Sequence, residues 1–168
     1  MDYTLIYSDR KTISISVTGG ELRVRAPRKT PKSVIDSFVK KHTEWIEKHL
    51  AKEKAREEKF NNITEEEIKN LKRNAKKYFK EKTEYFSDIM GLKYGRITIT
   101  SAKTRFGSCS SKGNISYSYR LMLYPEAARE YVVVHELSHL VEMNHSKKFY
   151  AIVERVLPDY KERRRMLK

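Results

Sequence analysis

The stretch from Tyr131 to His145, Y-V-V-V-H-E-L-S-H-L-V-E-M-N-H, constrains this chain more than any other part of it. His135 and His139 are four residues apart. On an α-helix that spacing projects both imidazoles from one face, where two nitrogens can bind one zinc ion at about 2.0–2.1 Å. Glu136 lies about a quarter-turn round such a helix from His135. From there its carboxylate reaches a water on the metal without being a ligand, the place of a general base. This is the H-E-x-x-H pattern, two ligands and a base on one helix. Val132, Val133, Val134, Leu137, Leu140 and Val141 make that helix apolar nearly all round, so it is buried. A buried acid and two buried imidazoles need partners or a metal, because unpaired polar groups inside a protein are costly.

Catalytic zinc sites take three protein ligands and keep one position open. His145 is the foremost third ligand. Met143-Asn144 reads as the helix end, since Asn tolerates the left-handed conformation there, and a turn would swing His145 back beneath the metal. Glu142 is the other candidate, as a ligand or as an outer acceptor for a histidine N–H. The H-x3-H-x5-H spacing equals that of the long metzincin motif, except that Glu142 stands where that motif has Gly.

A chain of 168 residues, 39% hydrophobic and 35% charged, is long enough for one domain with a real core. No apolar run approaches the roughly 20 residues that span a bilayer, so no membrane partner is expected. The opening Met1-Asp2-Tyr3-Thr4 lacks the basic and apolar regions of a signal peptide, and a single cysteine, Cys109, cannot form an internal disulfide. A cytoplasmic location is the expectation. Cys109 has no second Cys or His beside it in sequence and is read as small packing. The net charge of +14 is uneven. Residues 93–129 carry seven Lys or Arg against one acid, and residues 147–168 carry eight against three. Between them, residues 130–146 hold three acids and no Lys or Arg. A positive rim round a metal cleft favours an anionic substrate or nucleic acid; the competing reading is a solubilising surface.

Along the chain, Tyr3–Tyr7, Thr12–Val17 and Leu22–Arg25 alternate with period two and read as an antiparallel β-meander, turned at Asp9-Arg10 and Gly19-Gly20. Thr30-Pro31 opens a helix with Thr30 as its cap, and Val34, Ile35, Phe38, Val39, Trp45, Ile46 and Leu50 form its stripe. His42 and His49 lie near that stripe without an acid ligand set and are read as structural. Thr64 and Glu67 form a capping box for a second helix, which Gly91 ends. Arg96–Thr100 and Asn114–Tyr119 are strands about a loop, T-R-F-G-S-C-S-S-K-G, at 104–113. The run Leu121–Pro125 is expected as the edge strand that leads into the metal helix. Ser146 caps the helix that follows, and Pro158 breaks it before a short basic end.

The segments R-F-G-S-C-S-S-K-G-N-I-S and H-E-L-S-H-L-V-E-M-N-H-S-K-K-F resemble the YgjP-like family of metal-dependent hydrolases, and more distantly SprT-like and WLM proteases. The family more often has Trp where this chain has Phe106. Carried over by position, the resemblance implies zinc on His135, His139 and His145 with Glu136 catalytic, and a metallopeptidase or a nucleoside-triphosphate (UTP) pyrophosphatase activity.

The sequence therefore predicts an α+β, zincin-like fold in one domain over 1–168. Its parts are a β-meander at 1–27, a helical segment at 28–91, and a catalytic core with a mixed or antiparallel sheet at 92–168. The reaction expected first is hydrolysis of a peptide bond with one zinc per chain, or another divalent metal. Nucleotide hydrolysis and a nucleic-acid-binding module with a structural zinc are the alternatives, and oligomeric state is left open. Arg105, Tyr117, Tyr119 and Arg120 are the substrate-binding or oxyanion-stabilising candidates. Arg105 stands first because its glycine-containing loop is expected to face the metal, whereas the basic C-terminal block is read as solubilising.

Overall fold

The computed structural model describes residues 2–167, less the side chains of Arg56 and Lys59. The chain forms two compact units that divide between Ile63 and Thr64. The helical segment expected at 28–91 is shared between them. In the first unit, strands β1 (Thr4–Ser8), β2 (Ser14–Thr18) and β3 (Glu21–Pro27) are followed by helices α1 (Lys32–Lys41) and α2 (Thr43–Asn61). Gly19 and Gly20 both take positive φ, 60° and 74°, as the two-residue hairpin between β2 and β3 requires. The expected meander is corrected at β1, which pairs with β3 in parallel, from Thr4↔Arg23 to Ser8↔Pro27. The order is β1-β3-β2, a mixed sheet. The connection after β1 is not a tight turn, so β1 lies on the far side of β3 from its sequence neighbour. Leu22, Val24 and Ala26 alternate inward from β3 and are covered by Ile35, Val39 and Ile46.

Pro31 rather than Thr30 precedes α1, and no side chain caps it. The helical stripe is interrupted at His42, where the backbone leaves helical geometry (φ −109°, ψ 17°) and α2 begins. His42 and His49 each place Nδ1 at 2.7 Å from the carbonyl four residues earlier, a structural role.

The second unit opens on α3 (Glu65–Met90), with the Thr64–Glu67 capping box formed in both directions and Gly91 in the left-handed conformation at its end. Strands β4 (Ile97–Thr100), β5 (Gly107–Cys109) and β6 (Ile115–Ser118) make a second mixed sheet of order β4-β6-β5. β4 runs parallel to β6, and β5 antiparallel to it. The run expected as an edge strand is instead a 3₁₀ helix, Tyr119–Leu123, that leads into α4 (Glu126–Ser138). Helices α5 (Lys147–Val156) and α6 (Tyr160–Arg165) complete the unit. Its core joins Phe79 of α3, Ile115 and Tyr117 of β6, Val133 and Leu137 of α4, and Phe149 of α5. Lys82 reaches Glu126 and Glu130 at 2.9 and 2.6 Å, and Arg163 reaches Glu130 at 2.7 Å, tying α3 and α6 to α4. The described residues thus form an α+β fold, with two small mixed sheets, six α-helices and one 3₁₀ helix. Among the described residues no helix is long and apolar enough to cross a membrane.

Candidate metal centre

Helix α4 is buried over Tyr131–Val134 and Glu136–Ser138, as its apolar sequence requires. It ends earlier than its sequence suggests. The Ser138 hydroxyl donates back to the Val134 carbonyl at 2.7 Å, and the next bonds tighten to i−3, from Leu140 to Leu137 and from Val141 to Ser138. Among the described residues no non-glycine has positive φ, so Asn144 is not a left-handed cap. The tightened turn and the bend after it return the chain to the helix, and Ser146 caps α5 by accepting from the Phe149 N–H. This places His145 Nε2 at 2.9 Å from His135 Nε2.

His135, His139 and His145 offer ligand nitrogens that all lie within 4.8 Å of one another. Among the described residues they form the one cluster able to hold a metal. Phe149 packs at nearly equal distance from all three rings, 4.8, 4.6 and 4.9 Å between centroids, and fixes their spread. A tetrahedral ion with nitrogen ligands at about 2.0–2.1 Å spaces them about 3.4 Å apart, so His135 and His145 need to part by roughly half an ångström. The outer nitrogens are held as well. His139 Nδ1 faces the Glu142 main-chain carbonyl at 3.2 Å, which makes Nδ1 the protonated nitrogen and leaves the other lone pair for a metal. The Tyr131 hydroxyl lies 3.3 Å from His135 Nδ1. The Glu142 carboxylate instead accepts from the Asn144 N–H at 3.4 Å and is not part of the cluster.

Burial, then the neighbouring imidazoles, and then Arg164 push the His135 pKa down to about 3, and burial also lowers that of His139. Both rings are therefore neutral at ordinary pH, the form that ligates a metal. Glu136 is 5% exposed, and its carboxylate makes no hydrogen bond or ion pair with any described residue. Burial raises its pKa to about 8. A dication beside it would favour the charged form and restore a base. The donor set and the unpartnered acid both fit a divalent metal.

Gly107 of β5 lies directly over this acid: a Cβ there would stand 2.6 Å from Glu136 Oε1 and 2.8 Å from its Cγ. A cleft of about 340 Å³ opens beside it, with α4 as floor through Tyr131, Val132, His135 and Glu136. Arg105, Phe106 and Gly107, at the start of β5, and Arg164 and Leu167, at the C-terminal end of the chain, also line it. Arg105 and Gly107 also border a second hollow of about 240 Å³ that carries the hydroxyl-bearing residues Thr100, Ser108 and Ser116.

Of the proposed substrate contacts, only Arg105 lines the metal cleft. Tyr117 is fully buried, stacked on Phe79 at 4.5 Å with its hydroxyl 3.0 Å from Thr83 Oγ1. Tyr119 is buried in the 3₁₀ helix, under Lys72 at 5.6 Å, and Arg120 follows it there, outside the cleft walls. Sequence reasoning missed Tyr131, Gly107 and Arg164. Tyr131 had a signal, since it stands four residues before His135 on the same helical face.

A buried helix that presents two imidazoles and an unpartnered acid to a third imidazole defines the site of a metal-dependent hydrolase. The YgjP-like, metallopeptidase domain family matches residues 11–70 and 53–168, and the chain belongs to that family. Among solved structures, the chain is similar to the metallopeptidase zymogen of Pyrococcus abyssi abylysin, at 27% identity over 53% of this chain and 90% of that one, with a TM-score of 0.49. No curated protein sequence matches.

His145→Ala is expected to weaken metal binding by more than the 10–100-fold that loss of an outer partner costs, because it removes a ligand. Competition against a chromophoric chelator measures it. Unchanged affinity would transfer the third position to another group, Glu142 first.

Proposed function

We propose that this chain is a zinc-dependent peptidase in which His135, His139 and His145 hold the metal and Glu136 is the general base. The observation that carries the peptide-bond reading is the free edge of β5 beside Glu136. The Phe106 carbonyl accepts from the Ser118 N–H at 2.8 Å and the Ser110 N–H donates to the Asn114 carbonyl at 2.9 Å, so 106, 108 and 110 turn their main chain towards β6. By the alternation of an antiparallel ladder, Gly107 and Cys109 turn theirs outward. An extended peptide laid along that edge finds N–H and C=O partners and passes over Glu136. This corrects the assignment of the edge strand to Leu121–Pro125.

Zinc, when bound, supplies Lewis acidity and brings the pKa of water towards about 7. The chain's own residues do the rest. Glu136, dry and without a competing partner, takes a proton from the attacking water and returns it to the leaving amine. The Tyr131 hydroxyl and the Glu142 carbonyl orient two of the imidazoles. Phe106, Val132 and Leu167 make the cleft apolar, which strengthens each electrostatic contact within it. The test is to strip the protein with a chelator, reload it with zinc and other divalent ions, and assay libraries of peptides and of nucleoside triphosphates. Peptide cleavage lost on stripping and restored by zinc is expected. Hydrolysis confined to triphosphates would overturn the peptidase reading.

A further inference from the structure

We infer that Arg105 and Arg164 form a carboxylate clamp across the cleft, so that the preferred peptide carries a negative carboxylate within about one residue of the bond that is cut. This rests on the peptidase reading above and adds the substrate class. The two arginines line the same cleft from elements distant in sequence, Arg105 from the loop before β5 and Arg164 from α6. Neither is held in an ion pair with a described residue. Arg105 makes no hydrogen bond or ion pair with any described residue. Arg164 has no acid partner among them; its guanidinium lies 5.9 Å from the centroid of the Tyr150 ring.

The contrast with its neighbour is sharp. Arg163 is paired twice, with Glu130 at 2.7 Å and Asp159 at 2.8 Å, and is largely buried. Tyr160, one turn earlier, is buried and stacked at 5.8 Å on Tyr150. Tyr160 and Arg163 thus pin α6 to the body of the unit, and the same turn of helix turns Arg164 over the cleft.

Among the described residues Glu136 is the only acid lining the cleft, and it works as the base in the proposed reaction, so it is not a standing partner for either arginine. With a dication bound, the cleft has a clear positive excess. The remaining wall is apolar, Phe106, Val132 and Leu167. Such a lining accepts a short aliphatic stem that ends in a carboxylate. Two sources have that chemistry, an acidic side chain and the carboxyl terminus of a peptide. A guanidinium holds a carboxylate by two parallel charge-assisted bonds, and a neutral amide of the same shape loses most of that. One such interaction is worth on the order of tenfold or more in affinity.

The experiment uses the full chain, zinc-loaded, with Glu136→Gln so that peptides bind without being cut. Affinities are measured for four matched peptides: Glu-containing with blocked ends, its Gln counterpart, a neutral peptide with a free C-terminal carboxylate, and its amide. Tighter binding of one carboxylate member by about tenfold or more is expected, and the pair that shows it identifies the source. Arg105→Gln and Arg164→Gln should each erase most of that preference, and Arg164→Glu should shift it towards a Lys-containing peptide. Arg165→Gln, on the same helix but outside the cleft, should leave the preference intact. Equal affinity within both pairs overturns the clamp, as does a preference that survives both arginine substitutions. UTP bound more tightly than every peptide, through the same arginines, also overturns the carboxylate assignment. Failure of the peptidase reading is seen separately, as absence of peptide turnover by the wild-type chain.

Discussion

Glu136→Gln is expected to lower peptide hydrolysis by at least roughly 10²–10⁴-fold while metal content stays the same. The amide keeps the shape of the carboxylate and leaves the three imidazoles untouched, but it accepts no proton. Turnover with zinc-loaded protein and metal analysis of the same sample test both halves. A variant that hydrolyses peptides at the wild-type rate would remove Glu136 from the reaction, whatever the substrate.

The same substitution has an opposite effect on the metal-free protein. Burial raises the Glu136 pKa from 4.5 to about 8, so the folded state holds a proton that the unfolded chain releases. The stability linked to that proton is fully present below pH 4.5 and is lost as pH rises through about 8. Gln carries no such dependence. After chelation, Glu136→Gln should therefore match the wild type near pH 4.5 and exceed it by a few kcal/mol near pH 8, at roughly 1.4 kcal/mol per pKa unit. Denaturant melts at the two pH values measure the gap. Zinc should close it, because a dication stabilises the carboxylate in the folded state. A gap that does not grow with pH would mean that the acid is solvated in the apo protein.

Much of this site was legible because it lies along one helix. Spacing alone puts His135 and His139 on one face and Glu136 beside them, and one further turn of chain supplies His145. What spacing could not give was where the helix ends. Ser138 competes for the Val134 carbonyl and the chain tightens, so His145 returns through a 3₁₀ turn and not through a left-handed Asn144. The strands divide in the same manner. The Gly19-Gly20 hairpin is local chemistry and readable, whereas the parallel pairing of β1 with β3 is a long-range choice with no sequence mark. The short apolar run Leu121–Leu123 fits a strand or a 3₁₀ turn equally, and only packing decided between them.

Tyr117 carried a usable signal. It alternates in phase with Ile115, so the two share a face of β6, and that face is the core. Arg164 carried none. Its place over the cleft depends on Tyr160 and Arg163 docking α6, contacts between residues far apart in the chain. The basic end read from composition as a solubility feature therefore includes one residue that faces the metal cleft.

Gly107→Ala is expected to cut hydrolysis by about 10²-fold with metal binding retained, the loss typical of a catalytic group moved by about 1 Å. The added methyl would meet Glu136 Oε1, Cγ and Cδ at 2.6, 2.8 and 2.9 Å. Helix α4 is packed on nearly all sides and does not yield, so either β5 moves outward or the carboxylate rotates from its place. Overpacking of this kind costs about 1–3 kcal/mol, which a folded domain survives, and a thermal melt separates that cost from the loss of activity. The metal should stay, because the three atoms nearest the added methyl all belong to Glu136 and not to an imidazole. A double-mutant cycle decides the mechanism. If Gly107 acts only by giving Glu136 room, the Gly107→Ala change has no further effect in a Glu136→Gln background, and the residual rates of the single and double variants coincide. If the residual rate falls by a further large factor, the methyl is obstructing the peptide on the β5 edge itself. In that case Gly107 is a substrate contact rather than a positioning residue for the base.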